Sequence, residues 1–599
     1  MPLDFRNLNT LWASVLVETL QRLGLTTAVI CPGSRSTPLA VAFAQHPEIE
    51  AIPVLDERSA AFFALGIGKR AGIPVALVCT SGTAAANFYP AIVEAKESRV
   101  PLLVLTADRP PELRHCHAGQ TIDQMKLYGH YPNWQAEVAV PAADRSLLSY
   151  LRQTLVQAWA RSRFPTAGSV HLNLPFRDPL APIVQPEIEA IASQFDEKDF
   201  FAGLSADLAS FTSSASTFSL QDWQGCERGI IIAGVAHTHQ PKEYSQAIAQ
   251  LSRHLQYPVL AEALSPLRNY AALNPHLIAT YDSILRNPRL AQQLAPEIVI
   301  QLGELPTSKE LRAWLEAIQP QRWIIDASAE NFDPLHGKTI HLRTSIEAFV
   351  KHLEPSKPPA ESRQPPAFWQ QWCQADQQVR QKIEQTMRSL DFLLEGKAAW
   401  LLSQTLPTDT PIFIANSMPV RNVEFFWMPR NSGIAPYFNR GANGIDGTLS
   451  TALGIAHRHQ SSVLLTGDLA LLHDTNGLLI TPKFVGHLTI VLINNQGGGI
   501  FETLPIAQFE PLFEEFFATP QPIDFAQLCL TYGIEHQRIG DWQQLEKLLN
   551  PLPEKGIRVL ELQTNRKVDA SWLQANLGKL ALDIQLDGEH LSSTRRRKF

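Results

Sequence analysis

The sequence is short of the features that announce several common functions. Its six cysteines (Cys31, Cys79, Cys116, Cys226, Cys373 and Cys529) lie far apart, with no Cys-x-x-Cys pair. That speaks against a disulfide framework or a thiolate zinc site and for reduced thiols in a cytoplasmic protein. No stretch approaches the roughly 20 apolar residues needed to cross a bilayer, and the N-terminus has no uninterrupted apolar core of the signal-peptide kind. No membrane association is expected. Positive charge is also scarce: with a net charge of −7, no nucleic-acid partner is expected, and any anionic substrate must be met by individually placed Arg and Lys. His115, Cys116 and His117 are neighbours without further ligands at metal-binding spacing, so they read as surface or packing residues. No tandem repeat is present.

What is present is βα alternation along 599 residues, a length that suits about three or four domains. A content of 45% hydrophobic and 18% charged residues is that of an ordinary globular chain. The most informative stretch runs from Gly467 to Phe501. The apolar run Val463-Leu464-Leu465 reads as a buried strand ending at Thr466-Gly467-Asp468. A helical segment from Leu469 to Ile480 follows, and then a second strand, Leu488 to Ile493, ends at Asn494-Asn495. This βαβ unit predicts parallel strands with Asp468 and Asn495 at one carboxyl edge, where α/β sheets bind ligands. Mg²⁺ takes oxygen ligands in near-octahedral geometry, few of them carboxylates, with phosphate and water completing the set. Asp468 offers a carboxylate oxygen and Asn495 a neutral amide oxygen. The triple glycine Gly497-Gly498-Gly499 permits a turn that brings the Gly497 carbonyl toward the same ion.

Elsewhere, strands run into polar turns. Thr27 to Ile30 leads into Cys31-Pro32-Gly33-Ser34-Arg35-Ser36-Thr37, where hydroxyls from Ser34 to Thr37 are expected to cap the next helix and Arg35 to meet an anion. Glu57 stands between a short apolar strand and an Ala/Phe-rich helix. Val75 to Thr80 ends in the small-residue turn from Ser81 to Asn87, and Leu102 to Thr106 ends in Ala107-Asp108-Arg109-Pro110. A linker is read at Ser205 to Ser219 and another at Glu354 to Ala367, which is proline-rich and polar. Between them lies a second α/β unit whose glycines do not form G-x-G-x-x-G, so nothing supports a dinucleotide site. The domains are expected at 1–184, 185–360 and 361–599, the last ending in a disordered basic tail, Arg595 to Lys598.

Gly-Asp followed at this distance by Asn-Asn resembles the motif of thiamine diphosphate (ThDP) enzymes, although the usual third residue, Gly, is here Leu469. The longer strings CPGSRSTPLA, ADRP, HAGQTI and GDLALLHDTNGL…NNQGGGIFETLP are similar to one branch, the MenD-type synthases of menaquinone and phylloquinone synthesis. The resemblance spans nearly the whole chain. It implies an α/β, three-domain ThDP-binding fold, with two ThDP-binding domains flanking a central one. It implies ThDP and Mg²⁺ as cofactors, with Mn²⁺ as a substitute, and decarboxylation of 2-oxoglutarate with 1,4-addition of the succinyl unit to isochorismate. Glu57 would be the catalytic carboxyl beside the cofactor's aminopyrimidine N1′, its pKa raised by apolar surroundings. Ser81, Gly82, Gly467, Asp468, Leu469, Asn495, Gly497, Ile500 and Phe501 would border ThDP, with Ile445 as the wedge that keeps it bent. The metal would take Asp468, Asn495 and Gly497. Ser34, Arg35, Arg109, Gln120, Lys309, Ser417, Arg421, Arg440 and Leu504 would meet the substrates. Gly119 stands where the family pattern leads one to expect Asn, and Glu310 where a basic residue is common. The family also implies a homodimer at least, and a homotetramer in full, because Glu57 and Asp468 lie in domains that come from different subunits there. Two alternatives stay open: another carboligase of the acetohydroxyacid synthase kind, and a cofactor-binding homologue without catalysis, against which Glu57 speaks.

Overall fold

The βα alternation folds into three six-stranded parallel sheets, one per domain. In the first, β1 (Thr27–Ile30), β2 (Glu50–Pro53), β3 (Val75–Cys79), β4 (Leu102–Asp108), β5 (Trp134–Glu137) and β6 (Ser169–Pro175) lie in the order β2-β1-β3-β4-β6-β5. The second holds β7 (Gly229–Ala233), β8 (Val259–Ala261), β9 (Leu277–Ile278), β10 (Ile298–Leu302), β11 (Gln321–Ile325) and β12 (Thr339–Leu342), ordered β12-β11-β10-β7-β8-β9. The third holds β13 (Pro411–Ile414), β14 (Ala435–Tyr437), β15 (Ser462–Gly467), β16 (His487–Asn494), β17 (Glu535–Arg538) and β18 (Gly556–Gln563), ordered β14-β13-β15-β16-β18-β17. The central strands are buried along their length, as parallel strands covered by helices on both faces must be. This computed structural model describes residues 3–586 apart from 187, 189–191, 194, 205–220 and 352–364. The linker expected at Ser205 to Ser219, most of the one at Glu354 to Ala367 and the basic tail lie outside the described residues.

Five helices carry the site: α1 (Glu57–Ala71), α2 (Lys309–Ile318), α3 (Met418–Phe426), α4 (Thr448–Ala456) and α5 (Asp468–His473). Asp56 caps α1 by accepting from the Ser59 N–H, and Gly72 ends it at φ +68°. The first and third domains share one apolar core, which contains Phe62 and Leu65 of α1 with Leu449 and Leu453 of α4. The helices cross at two glycines. A Cβ on Gly66 would lie 2.1 Å from the Thr451 carbonyl oxygen, and one on Gly454 would lie 2.1 Å from that of Phe63, so only hydrogen fits at either crossing point. A second core joins the central and third sheets, with Ile230 and Ile412 bridged by Trp372 and Val379 of the helix Ala367–Ser389.

Two local expectations are corrected. The helix read from Leu469 to Ile480 is a short α5 followed by a 3-10 segment, Thr475–Lys483. The turn at Asp474 breaks it, because the Asp474 carboxylate is drawn to the Ser450 N–H at 2.7 Å and the Ser450 hydroxyl at 3.0 Å. The helix after Arg35, Thr37–Gln45, has no capping hydroxyl. The Ser36 and Thr37 hydroxyls instead donate back to the Gly33 and Ser34 carbonyls, at 3.0 and 2.6 Å, and close the preceding turn. Among the described residues, no helix is long and apolar enough to cross a membrane.

Candidate active site

The register of β15 and β16 places Gly467 opposite Ile493, so Asp468 and Asn495 leave the same sheet edge side by side. The loop after β16 then folds back: the Gly497 N–H donates to Asp468 Oδ2 at 2.8 Å, and the Leu469 N–H donates to Oδ1 at 2.8 Å. Gly497 sits at φ +135°, and a Cβ there would lie 2.3 Å from the Ala518 carbonyl oxygen. A residue with a side chain could not hold this return. Burial pushes the Asp468 carboxyl above the ordinary aspartate range, and the two backbone N–H groups pull it only part of the way back. Burial and repulsion from the nearby Asp569 carboxylate raise Glu395 further, to about 8. Glu395 Oε1 accepts from Asn495 Nδ2 at 2.6 Å. The amide is thereby oriented with its Oδ1 buried and without a partner. A buried amide oxygen facing no donor, beside a carboxylate that burial disfavours, is the donor set a divalent cation satisfies. These residues fit Mg²⁺ carrying a diphosphate.

The segment that follows is also held firmly. Arg566 donates to the Gln496 carbonyl at 2.6 Å and pairs with Glu502 at 2.9 Å and with Glu514. Ile500 packs against the core shared by the central and third sheets, and Phe501 meets Phe517 edge-on at 5.8 Å. Leu504 follows on the same half-buried segment. Across the edge, Ser417 takes φ +70° at the start of α3, and Arg421 Nη1 donates to its carbonyl at 2.6 Å. Arg440 Nη1 donates to Asn416 Oδ1 at 2.9 Å, while its buried Nε has no partner. Asn416 Nδ2 reaches the carbonyls of Asn439 and Gly444, at 2.6 and 2.7 Å, and so shapes the loop that ends at Ile445. From the first domain, Glu94 accepts the Gly441 and Ala442 N–H groups at 3.1 and 2.7 Å, and Lys69 donates to the Phe438 carbonyl at 2.6 Å. Burial lowers both Arg421 and Arg440 from the ordinary arginine range, and their mutual proximity lowers Arg421 further.

The other predicted residues gather at the carboxyl edge of the first sheet. Arg109 donates to Ser81 Oγ at 2.8 Å and to the Gly119 carbonyl at 3.0 Å. Gln120, at φ +58°, exchanges hydrogen bonds with Ser81, and a Cβ on Gly82 would strike its side chain at 2.9 Å. A Cβ on Gly119 would meet nothing within 4 Å, so this position leaves open space where a larger polar residue was expected. Arg35 is buried. Its Nη1 donates to the Phe176 carbonyl at 2.9 Å and lies 3.8 Å from Asp178, while its Nε has no partner. Arg109's positive charge adds to burial in lowering Arg35. Ser34, one residue earlier, is exposed. Among the described residues the half-buried Glu57 side chain has no hydrogen-bond or ion-pair partner, and its charge adds to burial in raising the thiols of Cys31 and Cys79.

Among the described residues, no hydrogen bond or ion pair joins a member of the first-sheet set to a member of the third-sheet set. Within one chain the start of α1 instead grips the far end of α5 and the 3-10 segment after it: Arg58 donates to the His473 carbonyl at 2.8 Å, and Asp56 accepts from Asn476 at 2.7 Å. Lys309 stands exposed at the head of α2, whereas Glu310 turns away to pair with Arg286 at 3.3 Å. No group of three metal-ligating side chains occurs among the described residues, the His115–His117 segment included. Sequence reasoning missed Asn416, Glu395, Glu94 and Lys69. Asn416 alone gave a local signal, lying beside Ser417 in the same polar loop.

Family models for thiamine pyrophosphate enzymes match three stretches: the N-terminal TPP binding domain at 12–127, the middle domain at 204–414 and the C-terminal TPP binding domain at 422–561. A 2-succinyl-5-enolpyruvyl-6-hydroxy-3-cyclohexene-1-carboxylate (SEPHCHC) synthase from Gloeothece citriformis is 68% identical over 97% of this chain and 100% of its own. Proteins of the same name from Trichormus variabilis and Acaryochloris marina are 62% and 58% identical, over 97% and 96% of this chain and 100% and 98% of theirs. A benzoylformate decarboxylase structure from Polynucleobacter necessarius superposes with a TM-score of 0.66 at 16% identity, covering 93% of this chain and 98% of its own. At that identity it speaks to the fold alone. With three ThDP-enzyme domains in order and such identity along its whole length, the chain belongs to the SEPHCHC synthase family of thiamine diphosphate enzymes.

Proposed function

We propose that this chain binds ThDP through Mg²⁺ and joins the decarboxylated 2-oxoglutarate unit to isochorismate, in the cytoplasm. The observation that carries the reading is the anchoring of its arginines. Among the described residues, the guanidinium groups of Arg109, Arg421 and Arg440 are held by neutral oxygens only, those of Ser81, Gly119, Ser417 and Asn416. Each therefore keeps its full charge and free N–H donors for a ligand carboxylate, which a planar guanidinium meets bidentately. They stand in two separate sets, as two carboxylate-bearing substrates require.

When bound, ThDP would supply a carbon nucleophile and an electron sink for decarboxylation of the 2-oxoacid. Asp468, the Asn495 amide oxygen and the Gly497 carbonyl would hold the metal, with Gly467 and Leu469 beside the diphosphate. Glu57, whose side chain has no hydrogen-bond or ion-pair partner among the described residues, would hold a proton at the aminopyrimidine N1′. Ile445, Ser81, Gly82, Ile500 and Phe501 would border the cofactor. Ser417, Arg421 and Arg440 would fix 2-oxoglutarate. Arg35 and Arg109, with Ser34, Gln120, Lys309 and Leu504, would receive isochorismate. Because, among the described residues, no hydrogen bond or ion pair joins the set that holds Glu57 to the set that holds Asp468, we assign the complete site to a homodimer, and the full assembly to a tetramer.

Assaying the chain with ThDP, Mg²⁺, 2-oxoglutarate and isochorismate tests this reading. Stoichiometric CO₂ and adduct are expected. Bound FAD and turnover of pyruvate instead would favour an acetohydroxyacid synthase-like enzyme. Arg421→Ala is expected to raise KM for 2-oxoglutarate and Arg35→Ala that for isochorismate, and the opposite pattern would reverse the two subsites.

A further inference from the structure

The two neutral ligands assigned to the metal, the Asn495 amide and the Gly497 carbonyl, are each aimed by groups that lie far away in the sequence. An amide can turn either end toward a cation, and only its oxygen binds one. At Asn495 two neighbours decide which end is turned. Its Nδ2 donates to Glu395 Oε1 at 2.6 Å, and a Cβ on Gly499 would lie 2.7 Å from that same nitrogen. The amide nitrogen therefore uses the space that the third glycine of the loop leaves clear. Glu395 is itself fixed: its Oε2 accepts from Asn422 Nδ2 at 3.3 Å, and its N–H donates to Asp569 Oδ1 at 2.8 Å. All three of these residues are buried. Glu395 opens the helix Glu395–Thr405, which is pressed onto α3 at Gly396, where a Cβ would lie 2.5 Å from the Phe426 ring.

At Gly497 the peptides on both sides are held. The Gly497 N–H donates to Asp468 at 2.8 Å, and the Gln496 carbonyl of the same peptide accepts from Arg566 Nη1 at 2.6 Å. In the next peptide the Gly498 N–H donates to the Ala518 carbonyl at 2.7 Å, which turns the Gly497 carbonyl to the opposite side of a trans peptide. That carbonyl accepts the Gly499 N–H at 2.9 Å and keeps a second lone pair. Arg566 also pairs with Glu502 at 2.9 Å and with Glu514, which opens the segment Glu514–Ala518. One guanidinium thus ties the loop to the two pieces of chain that flank it. Arg566 and Asp569 lie one turn apart on the helix Arg566–Asn576, so a single helix stands behind both ligands.

We propose that Glu395 and Arg566 are positioning residues of the metal site. Glu395, seated by Asp569 and given room by Gly499, keeps the oxygen of the Asn495 amide rather than its nitrogen toward Mg²⁺. Arg566 keeps the Gly497 carbonyl turned to the same ion. This rests on the assignment of Asp468, Asn495 and Gly497 to the metal. Each residue acts through a ligand, and groups standing behind metal ligands typically carry about 10- to 100-fold in metal affinity.

Calorimetric titration of Mg²⁺ at fixed ThDP, alongside thermal unfolding of the cofactor-free protein, tests the proposal, with Asp468→Asn as reference. Glu395→Ala, Gly499→Ala and Arg566→Lys are each expected to weaken Mg²⁺ binding about 10- to 100-fold. Gly499→Ala removes no hydrogen bond and only sets a Cβ against Asn495 Nδ2, so its cofactor-free unfolding temperature is expected to match the parent. Glu395→Gln keeps an oxygen for Asn495, and its amide nitrogen can turn to Asn422 Oδ1, which is buried without a partner. Its Mg²⁺ affinity is expected to stay near that of the parent. A loss in Glu395→Gln as large as in Glu395→Ala would mean that the charge of Glu395 acts rather than its hydrogen bond, and overturns the proposal. So does a loss in Gly499→Ala that tracks a fall in unfolding temperature. Parental Mg²⁺ affinity in Glu395→Ala, Gly499→Ala or Arg566→Lys, while Asp468→Asn binds weakly, overturns the positioning roles and leaves the metal assignment standing. Parental affinity in Asp468→Asn removes that assignment and the proposal with it. Should Glu395→Ala not fold, Gly499→Ala and Arg566→Lys decide by the same measures.

Discussion

Replacing Asp468 by Asn separates a ligand role from a structural one, and the structure sets the size of each effect. The carboxylate is 5% exposed and accepts two backbone N–H groups, from Leu469 and Gly497, each at 2.8 Å. Asn keeps the shape and one acceptor oxygen, but its amide nitrogen faces the second N–H and leaves it unsatisfied, at a cost of about 1–3 kcal/mol. Burial already disfavours the charge in the cofactor-free protein, so removing that charge offsets part of the cost. The cofactor-free variant is therefore expected to unfold close to the parent. With Mg²⁺ and ThDP the two diverge. Losing the anionic ligand forfeits at least the ~1.5–3 kcal/mol of a charge-assisted contact, which weakens binding about 10- to 150-fold. A ligand at about 100 times its Kd stabilises a protein by ~2.7 kcal/mol, and the same concentration at a Kd 100-fold weaker by only ~0.4 kcal/mol. Thermal unfolding with and without Mg²⁺ and ThDP, alongside calorimetric titration, reads both effects. Parental ThDP affinity in Asp468→Asn would refute the metal assignment. A collapse of the cofactor-free variant would show instead that the carboxylate serves mainly to hold its loop.

Gly66→Ala places a Cβ 2.1 Å from the Thr451 carbonyl oxygen. It is expected to destabilise the protein by about 1–3 kcal/mol by prising α1 from α4, whereas Gly→Ala in an unobstructed helix stabilises by about 0.5–1 kcal/mol. The sign of the shift in denaturant midpoint decides. Asp474, whose carboxyl burial raises from the ordinary 3.8 to about 6, supplies stability that is fully present below pH 3.8 and lost as pH rises through about 6. The change is on the order of 2–3 kcal/mol. Asp474→Asn is expected to flatten the stability profile across that window, and an unchanged profile would mean that Asp474 titrates normally. Mixing inactive Glu57→Gln and Asp468→Ala chains under subunit exchange is expected to restore up to about half the activity if each site draws on two chains. Confirmed exchange with background activity would place each site within one chain.

The α/β architecture was legible because parallel strands buried on both faces read as uninterrupted apolar runs, and the glycine-rich turns between them mark the sheet edges. Asp468, Asn495 and Gly497 were legible as a group for a similar reason. One βαβ unit with one return loop brings them together, and its geometry depends only on local strand register and on a glycine free to take φ +135°. Where a side chain's partner lies far along the chain, local pattern was silent. Glu395 orients Asn495 across 100 positions, and Glu94 holds Ala442 across 348. Neither pairing leaves a periodicity or a motif. The same holds for α2. The sequence singles out Lys309 there and shows Glu310 beside it, and only the packing of Arg286 against α2 set Glu310 into an ion pair. The sequence by itself thus determined the three sheets and the turn that gathers Asp468 and Asn495, because backbone hydrogen bonding and apolar burial act between near neighbours. Only the tertiary structure decided which charged groups stay unpaired for a ligand, because pairing depends on which distant elements pack side by side.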